Sequence, residues 1–478
     1  MNYRLTLHVL GGLLVFLGTT LLSPIPFTLY YRDGQLGTFV LSAAITALSG
    51  AALFYAFHSR DEVTLREAFA IVTFGWIGFT LFGSLPYLIS GSLPNPVDAF
   101  FESTSGFATA GASVFTDVEA APRSVLFWRA LTQWLGGMGI IVLGVAILPL
   151  LGVGGMQLYE AESPGPTTDR LTPRIQDTAR LLWGVYALVT AGGIALLWLG
   201  EMDFFDAVCH TFAAVATGGF STRNASLGAF GAYSQAVIML VMLLGSTNFA
   251  LHYHALRGQP RKYWQSDELR FYLGMLAATI LLAFALNWPH YQNQAENLRD
   301  SAFTATSILT TTGFTTADYE QWHVLIQGVL FAAMFAGGCT GSTAGGLKVV
   351  RVMLLLKHAL LQTARLIHPR QVFVLKLDRR AVSAEIMQDV LGFTVLFLGV
   401  FLTATLLLNA SGVDLITASS GVITCLSSVG PGLGAVGPTD NYAGLPAFAK
   451  IVLSAVMLLG RLEISTVLVL FFPTFWKR

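Results

Sequence analysis

Charge is scarce in this chain. Of its 478 residues only 11% are Asp, Glu, Lys or Arg, against roughly a quarter in an ordinary soluble domain. Hydrophobic residues make up 54%, and mean hydropathy is +0.64. That composition excludes a water-soluble fold. Cysteine is nearly absent: Cys209, Cys339 and Cys425 lie far apart and are odd in number, so they supply neither a disulfide framework nor a CxxC metal pair. No HExxH and no Asp-rich motif of a membrane transferase occurs, which leaves an enzyme reading without candidate chemistry. No small-residue cleavage site separates the first two apolar segments, so the first is not expected to be a removable signal peptide. The formal net charge is +0, and only its distribution is informative.

What the chain has in quantity is apolar sequence. Segments beginning at His8, Leu36 and Phe271 approach or reach the roughly 20 apolar residues that cross a bilayer. About ten spans are expected, near 8–30, 36–58, 66–90, 122–151, 180–200, 233–256, 270–288, 322–360, 388–410 and 445–472. Basic residues gather in alternate connections: Arg60 and Arg66; Arg257, Arg261 and Lys262; the stretch from Lys348 to Arg380; and Lys477 with Arg478. By the positive-inside rule these face the cytoplasm, and an even count puts both termini there. The connections starting at Gly200, Thr315 and Gly437 are acidic or neutral and are expected outside. The segment from Tyr159, rich in Pro, Thr and charge, is expected to be a cytoplasmic loop joining two repeats.

A small motif recurs within this apolar background. "TTTGFT" at Thr310 has relatives in "ATAGAS" at Ala108, "ATGGFS" at Ala216 and "SSVGPG" at Ser427. The shared glycines are Gly111, Gly219, Gly313 and Gly430, spaced by 108, 94 and 117 residues, a period that indicates four homologous units. Asp98, Asp206, Asp300 and Thr417 each stand thirteen residues before their glycine. Asp and Thr are good N-caps, so each unit is expected to begin a short helix capped there. Such a helix is too short to span and is read as re-entrant. Irregular backbone at that depth is tolerated only where it is buried in protein or lines a watery cavity. Four helix C-termini aimed at one axis favour a cation, and carbonyls of glycine loops can replace its hydration shell. The expected ion-binding residues are Thr109, Ala110 and Gly111; Thr217, Gly218 and Gly219; Thr311, Thr312 and Gly313; Ser428, Val429 and Gly430. The alternative is that these stretches only pack helices closely; four phased copies argue against it.

On these loops, together with "MLLGSTNFALHYHAL" from Met242, "FAGGCTGSTAGGLKVVR" from Phe335 and the arginine of "MLLGRLEISTVLVLFFPTFW" from Met457, the chain resembles the Trk/Ktr/HKT superfamily of cation transporters, and within it the TrkH/TrkG type. The resemblance covers nearly the whole chain. It implies an all-α polytopic membrane protein with four tandem helix–pore loop–helix units around a pseudo-fourfold pore, plus two extra N-terminal transmembrane helices. It divides the chain into 1–62, 63–158, 159–262, 263–380 and 381–478. It also implies K⁺ as the transported ion with no organic cofactor, a bacterial inner-membrane location, a homodimer, and a TrkA-type cytosolic nucleotide-binding partner; nucleic acid is not expected. The chain departs from the commoner threonine-rich filter at Ala108 and Ala110 and in "SSVGPG", where ligation is expected from backbone.

The second span of the third unit contains Gly337, Gly338, Cys339, Thr340, Gly341, Ser342, Thr343, Ala344, Gly345 and Gly346. Five glycines cost helix stability, so a break near the midplane is expected, where the resemblance places an intramembrane gating loop. Arg461 lies in an otherwise apolar span and needs a polar partner. The candidates are loop carbonyls, the Ser342 and Thr343 hydroxyls, or Glu463 or another acid. Other motifs are weaker. "GLGAVG" at Gly432 follows no strand, "GSTAGGLK" at Gly341 has Leu347 where a phosphate loop needs Lys, and His252 with His254 are too close in sequence to converge on a metal. The rival functional reading is an alternating-access secondary cation symporter, since broken helices and repeats occur there too.

Overall fold

The structure is a computed structural model describing residues 1–59, 61, 63–139, 175–368, 370–371, 374–378 and 380–476. The expected loop from Tyr159 and the end of the span proposed for 122–151 lie outside the described residues. Helices Tyr3–Thr20 and Leu36–Ala56 pack against each other through small residues. A Cβ on Gly11 would lie 2.6 Å from the Gly50 carbonyl oxygen, and one on Gly50 would lie 2.7 Å from the Val15 nitrogen. Glycine there lets two backbones touch, the usual device where no water drives helices together.

A pattern of long helix, short helix, loop and second helix then occurs four times. The short members are Pro96–Phe107, Phe204–Val215, Gln294–Leu309 and Leu415–Ser427. They are the interior of the molecule despite being polar: Ser103, Thr104, Thr211, Thr306, Ser420 and Thr424 are all buried. The outer helices are the reverse. In Ala179–Trp198, Asp267–Leu286 and Ala384–Ala410 only 28%, 28% and 22% of the apolar window is buried. Their leucines therefore face a medium that accepts them, which is hydrocarbon. Among the described residues six helices are long and apolar enough to cross a membrane, and the chain is a multi-pass membrane protein.

Several expected spans are not straight. Ala232–Ser246 and Phe249–Leu256 meet at 103°, and Ala447–Arg461 and Ser465–Phe471 at 108°. The span expected over 322–360 is divided into Val324–Ala333 and Val349–Ile367, as its glycines require. Tyr3 and Trp476 stack with ring centroids 6.3 Å apart, which puts the two ends of the described chain on the same side. A two-stranded hairpin, Lys376–Leu377 with Arg380–Ala381, is the one sheet among the described residues.

Candidate functional site

Each short helix ends in the same way. Thr109, Thr217, Thr311 and Ser428 take left-handed φ of 52°, 52°, 56° and 58°, a conformation that costs a non-glycine residue roughly 1–2 kcal/mol. The next N–H reaches back five residues: Ala110 to Ser105 at 2.8 Å, Gly218 to Ala213 at 2.7 Å, Thr312 to Ser307 at 2.8 Å and Val429 to Thr424 at 2.8 Å. This 6→1 bond closes a helix end with the left-handed residue at the position glycine ordinarily fills. The following glycines have φ of 75°, 78°, 83° and 97°, open to glycine without a Cβ penalty.

The four loops meet in cyclic order. A Cβ on Gly111 would lie 2.6 Å from the Gly218 carbonyl oxygen; on Gly219 it would overlap the Thr312 carbonyl oxygen, and on Gly313 that of Val429. On Gly430 it would lie 3.1 Å from the Ala110 carbonyl oxygen, which closes the ring. Each glycine thus faces the residue that precedes the next unit's glycine. All twelve residues expected from the sequence are brought together here, with carbonyls at the C-terminal ends of four helices, where partial negative charge accumulates.

Side chains not anticipated from the sequence brace this ring. Glu102 is fully buried and pairs with Arg129 at 2.6 Å, while its other oxygen accepts the Val114 N–H at 2.9 Å. Arg129 donates to the Ser221 carbonyl at 2.8 Å and lies 3.6 Å from the centroid of Phe220. Gln133 donates to the Gly218 carbonyl at 2.6 Å. Tyr442 donates to the Gly430 carbonyl at 2.7 Å. The buried ion pair had a sequence signal, since a charge inside an apolar span demands a partner. Gln133 and Tyr442 had none.

The segment from Gly337 to Gly346 passes across the C-terminal ends of the short helices. Its base is closed by Gly337 N–H to Leu347 carbonyl at 2.8 Å and Val349 N–H to Gly338 carbonyl at 3.1 Å. The Thr343 hydroxyl sits 3.0 Å from the Val215 carbonyl and 3.4 Å from the Thr217 hydroxyl. Gly345 donates its N–H to the Thr311 hydroxyl at 2.9 Å, and a Cβ on Gly345 would overlap the Ser427 carbonyl oxygen. Glu268 holds the outer end, accepting from Thr340 N–H at 2.7 Å and Val350 N–H at 3.3 Å. Arg461 donates to the Thr343 carbonyl at 2.9 Å, to the Gly137 carbonyl at 2.7 Å and to that of Gly136. A loop carbonyl is thus one of the expected partners that Arg461 reaches; Glu463 pairs with Arg351 at 2.6 Å. Beneath the loop lies a cavity of about 170 Å³ lined in part by Lys348, Arg351, Arg461 and Glu463.

The expected caps need correction. The N-caps are Asn95, Asp203, Asn293 and Asp414, whose side chains accept from Val97, Asp206, Ala295 and Thr417 N–H respectively. Asp98, Asp206 and Thr417 stand three residues after the cap and Asp300 seven after it. They bond elsewhere: Asp98 to Lys450 at 2.6 Å, Asp206 to Thr222 at 2.6 Å and Arg223 at 2.7 Å, Asp300 to Tyr291 at 3.2 Å, and Thr417 to Ala435 N–H at 3.0 Å. Three of them therefore tie a short helix to another segment: Asp98 to helix Ala447–Arg461, and Asp206 and Thr417 to the loop that follows their own helix. Glycines of "GLGAVG" enter a 3₁₀ turn at Gly434–Val436, and His252 bonds Tyr263 and the Leu244 carbonyl.

Comparison with known proteins agrees with this geometry. A family model described as "TrkH: Cation transport protein" matches residues 36–478. The Trk system potassium uptake protein TrkH of Escherichia coli K12 is 40% identical over 485 residues, and that of Halomonas elongata 42% over 484, each match covering 100% of both chains. The Trk system potassium uptake protein TrkG of Escherichia coli K12 is 35% identical, with 100% of this chain and 99% of the relative covered. A crystal structure of the potassium transporter TrkH from Vibrio parahaemolyticus superposes with a TM-score of 0.90 at 37% identity, covering 100% of both chains.

Proposed function

Because the chain belongs to the TrkH cation transport protein family and is a transporter rather than an enzyme, we propose that it takes up K⁺ across the bacterial inner membrane through a pore filtered by Gly111, Gly219, Gly313 and Gly430. The observation that carries this reading is the closed cyclic contact of the four glycines with the next unit's carbonyl. Four tandem units, divided at residues 63, 159, 263 and 381 after two N-terminal helices, supply one loop each. Backbone oxygens replace the hydration shell, and glycine is required because any side chain enters the space of a neighbouring carbonyl.

The segment Gly337–Gly346 is the gate, with Arg461 as its latch. Docked, it uses the Thr311 hydroxyl and approaches that of Thr217, so the inner end of the pathway is both capped by chain and flanked by a guanidinium. The termini, which lie together, face the cytoplasm with the basic connections. The protein works as a homodimer with a cytosolic nucleotide-binding subunit that sets how often the loop leaves, not which ion passes.

Ion competition in a potassium-uptake-deficient strain tests the filter. K⁺ and Rb⁺ are expected to pass in preference to Na⁺ and Li⁺, and serine at any of the four glycines should erode that preference. A Cβ overlaps carbonyl oxygen outright at Gly219 and Gly313 but only crowds it at Gly430, so the loss should be graded in that order. An unchanged K⁺/Na⁺ preference in all four inserted variants would remove the filter assignment.

A further inference from the structure

The residue immediately before the ring glycine is Ala110, Thr312 or Val429 in three units and Gly218 in the second. Gly218 does not adopt the left-handed φ that would require glycine, yet a Cβ there would lie 2.6 Å from Gln133 Oε1 and 2.7 Å from Nε2. The missing side chain is replaced by one from another unit. Gln133 comes from helix Arg123–Gly137 of the first unit and is fully buried.

Both ends of its amide are used. Nε2 donates to the Gly218 carbonyl at 2.6 Å, and Oε1 accepts the Phe220 N–H at 3.1 Å. These two bonds fix the amide orientation, because exchanging O and N would set donor against donor and acceptor against acceptor. They grip the second loop on either side of Gly219. One helical turn earlier, Arg129 holds the Ser221 carbonyl, so the same helix supports Gly218, Phe220 and Ser221 around the ring glycine.

From this geometry we propose that Gln133 is a specificity-determining positioning residue: it sets the direction of the Gly218 carbonyl and the distance of the second loop from the axis, and Gly218 is glycine to admit it. The inference rests on the filter reading above. The Gly218 oxygen is the one that approaches Gly111, so a rotation of this peptide reaches the first loop as well. A buried amide bonded at both ends resists such rotation, whereas an apolar side chain of equal length fills the space without holding the carbonyl.

The test measures K⁺ and Na⁺ uptake, normalised to protein in the membrane, for Gln133→Met, Gly218→Ala and, as a reference, Gly219→Ser. Gln133→Met should lower the K⁺/Na⁺ ratio by roughly tenfold, the discrimination that one orienting hydrogen bond supplies, through a raised KM for K⁺ with little change in maximal rate. Gly218→Ala should lower the ratio in the parent chain and add nothing in a Gln133→Ala background, since the collision it creates is then gone. A wild-type ratio in Gln133→Met beside a lost ratio in Gly219→Ser overturns the inference alone; wild-type ratios in both overturn the filter reading with it. Should Gln133→Met fail to insert, Gly218→Ala decides, because it displaces the amide without deleting it: an unchanged ratio refutes the role of Gln133.

Discussion

Replacing Gly345 by alanine should open the resting protein. Its φ lies outside the left-handed region, so alanine is not strained there by backbone. In the docked loop, however, the new Cβ would overlap the Ser427 carbonyl oxygen and lie 2.9 Å from the Ser428 Cβ. Neither neighbour can yield freely, since Ser427 ends a short helix and Ser428 is held in the left-handed conformation at φ 58°. The clash exists only while the loop is docked. Overpacking of this kind costs about 1–3 kcal/mol, which multiplies the population of the undocked state by roughly 5- to 150-fold.

Rb⁺ influx into vesicles holding known amounts of protein reads this directly. Gly345→Ala should raise resting influx while leaving the K⁺/Na⁺ ratio intact. Gly328→Ala, in helix Val324–Ala333 with nothing within 4 Å of the added carbon, is the control and should behave as the parent. Resting influx unchanged or reduced in normally inserted Gly345→Ala would mean that the segment is packing and not a gate.

Other consequences are testable in the same vesicles or by unfolding. Arg461→Ala removes the donor to the Thr343 carbonyl, and Glu268→Ala removes the acceptor of Thr340 and Val350 N–H; both should raise resting influx without altering ion preference, and a fall in influx for both would contradict the latch. Asp203→Ala and Asp414→Ala should each cost about 0.5–2 kcal/mol in unfolding measurements through loss of an N-cap, and an undetectable cost for both would argue against the caps. The Thr417 N–H holds the Asp414 carboxyl below its usual range, so its contribution is full above the unfolded pKa and is lost as pH falls through the lower folded value; Asp414→Asn should flatten that acid-side loss.

The ring of glycines was legible because closure demands residues without a Cβ at four equivalent points, and only glycine meets both the φ and the carbonyl contact. The break at Gly337–Gly346 was legible for a similar reason, as five glycines cannot hold a helix. The caps were misread because the sequence offers cap-competent residues three apart, Asn95 with Asp98 and Asp203 with Asp206. Constant phase favoured the inner member, whose side chain bonds Lys450 in one case and Thr222 and Arg223 in the other. The bends after Ser246 and Arg461 did leave a trace, Ser246-Thr247-Asn248 in one span and Arg461, Glu463 and Ser465 in the other, but each polar stretch is short enough that the apolar runs on either side read as one span. Gln133 was invisible because its partner Gly218 lies 85 residues away and neither residue is unusual in a membrane helix or a glycine loop by itself.

The most direct test of pore-mediated uptake is voltage-driven Rb⁺ flux in proteoliposomes containing the purified chain, with Na⁺ absent and pH equal on both sides. The account predicts Rb⁺ entry that follows the membrane potential, is blocked competitively by K⁺ and not by Na⁺, and needs no co-ion. Entry that occurs only with an imposed Na⁺ or H⁺ gradient would contradict it in favour of an alternating-access symporter.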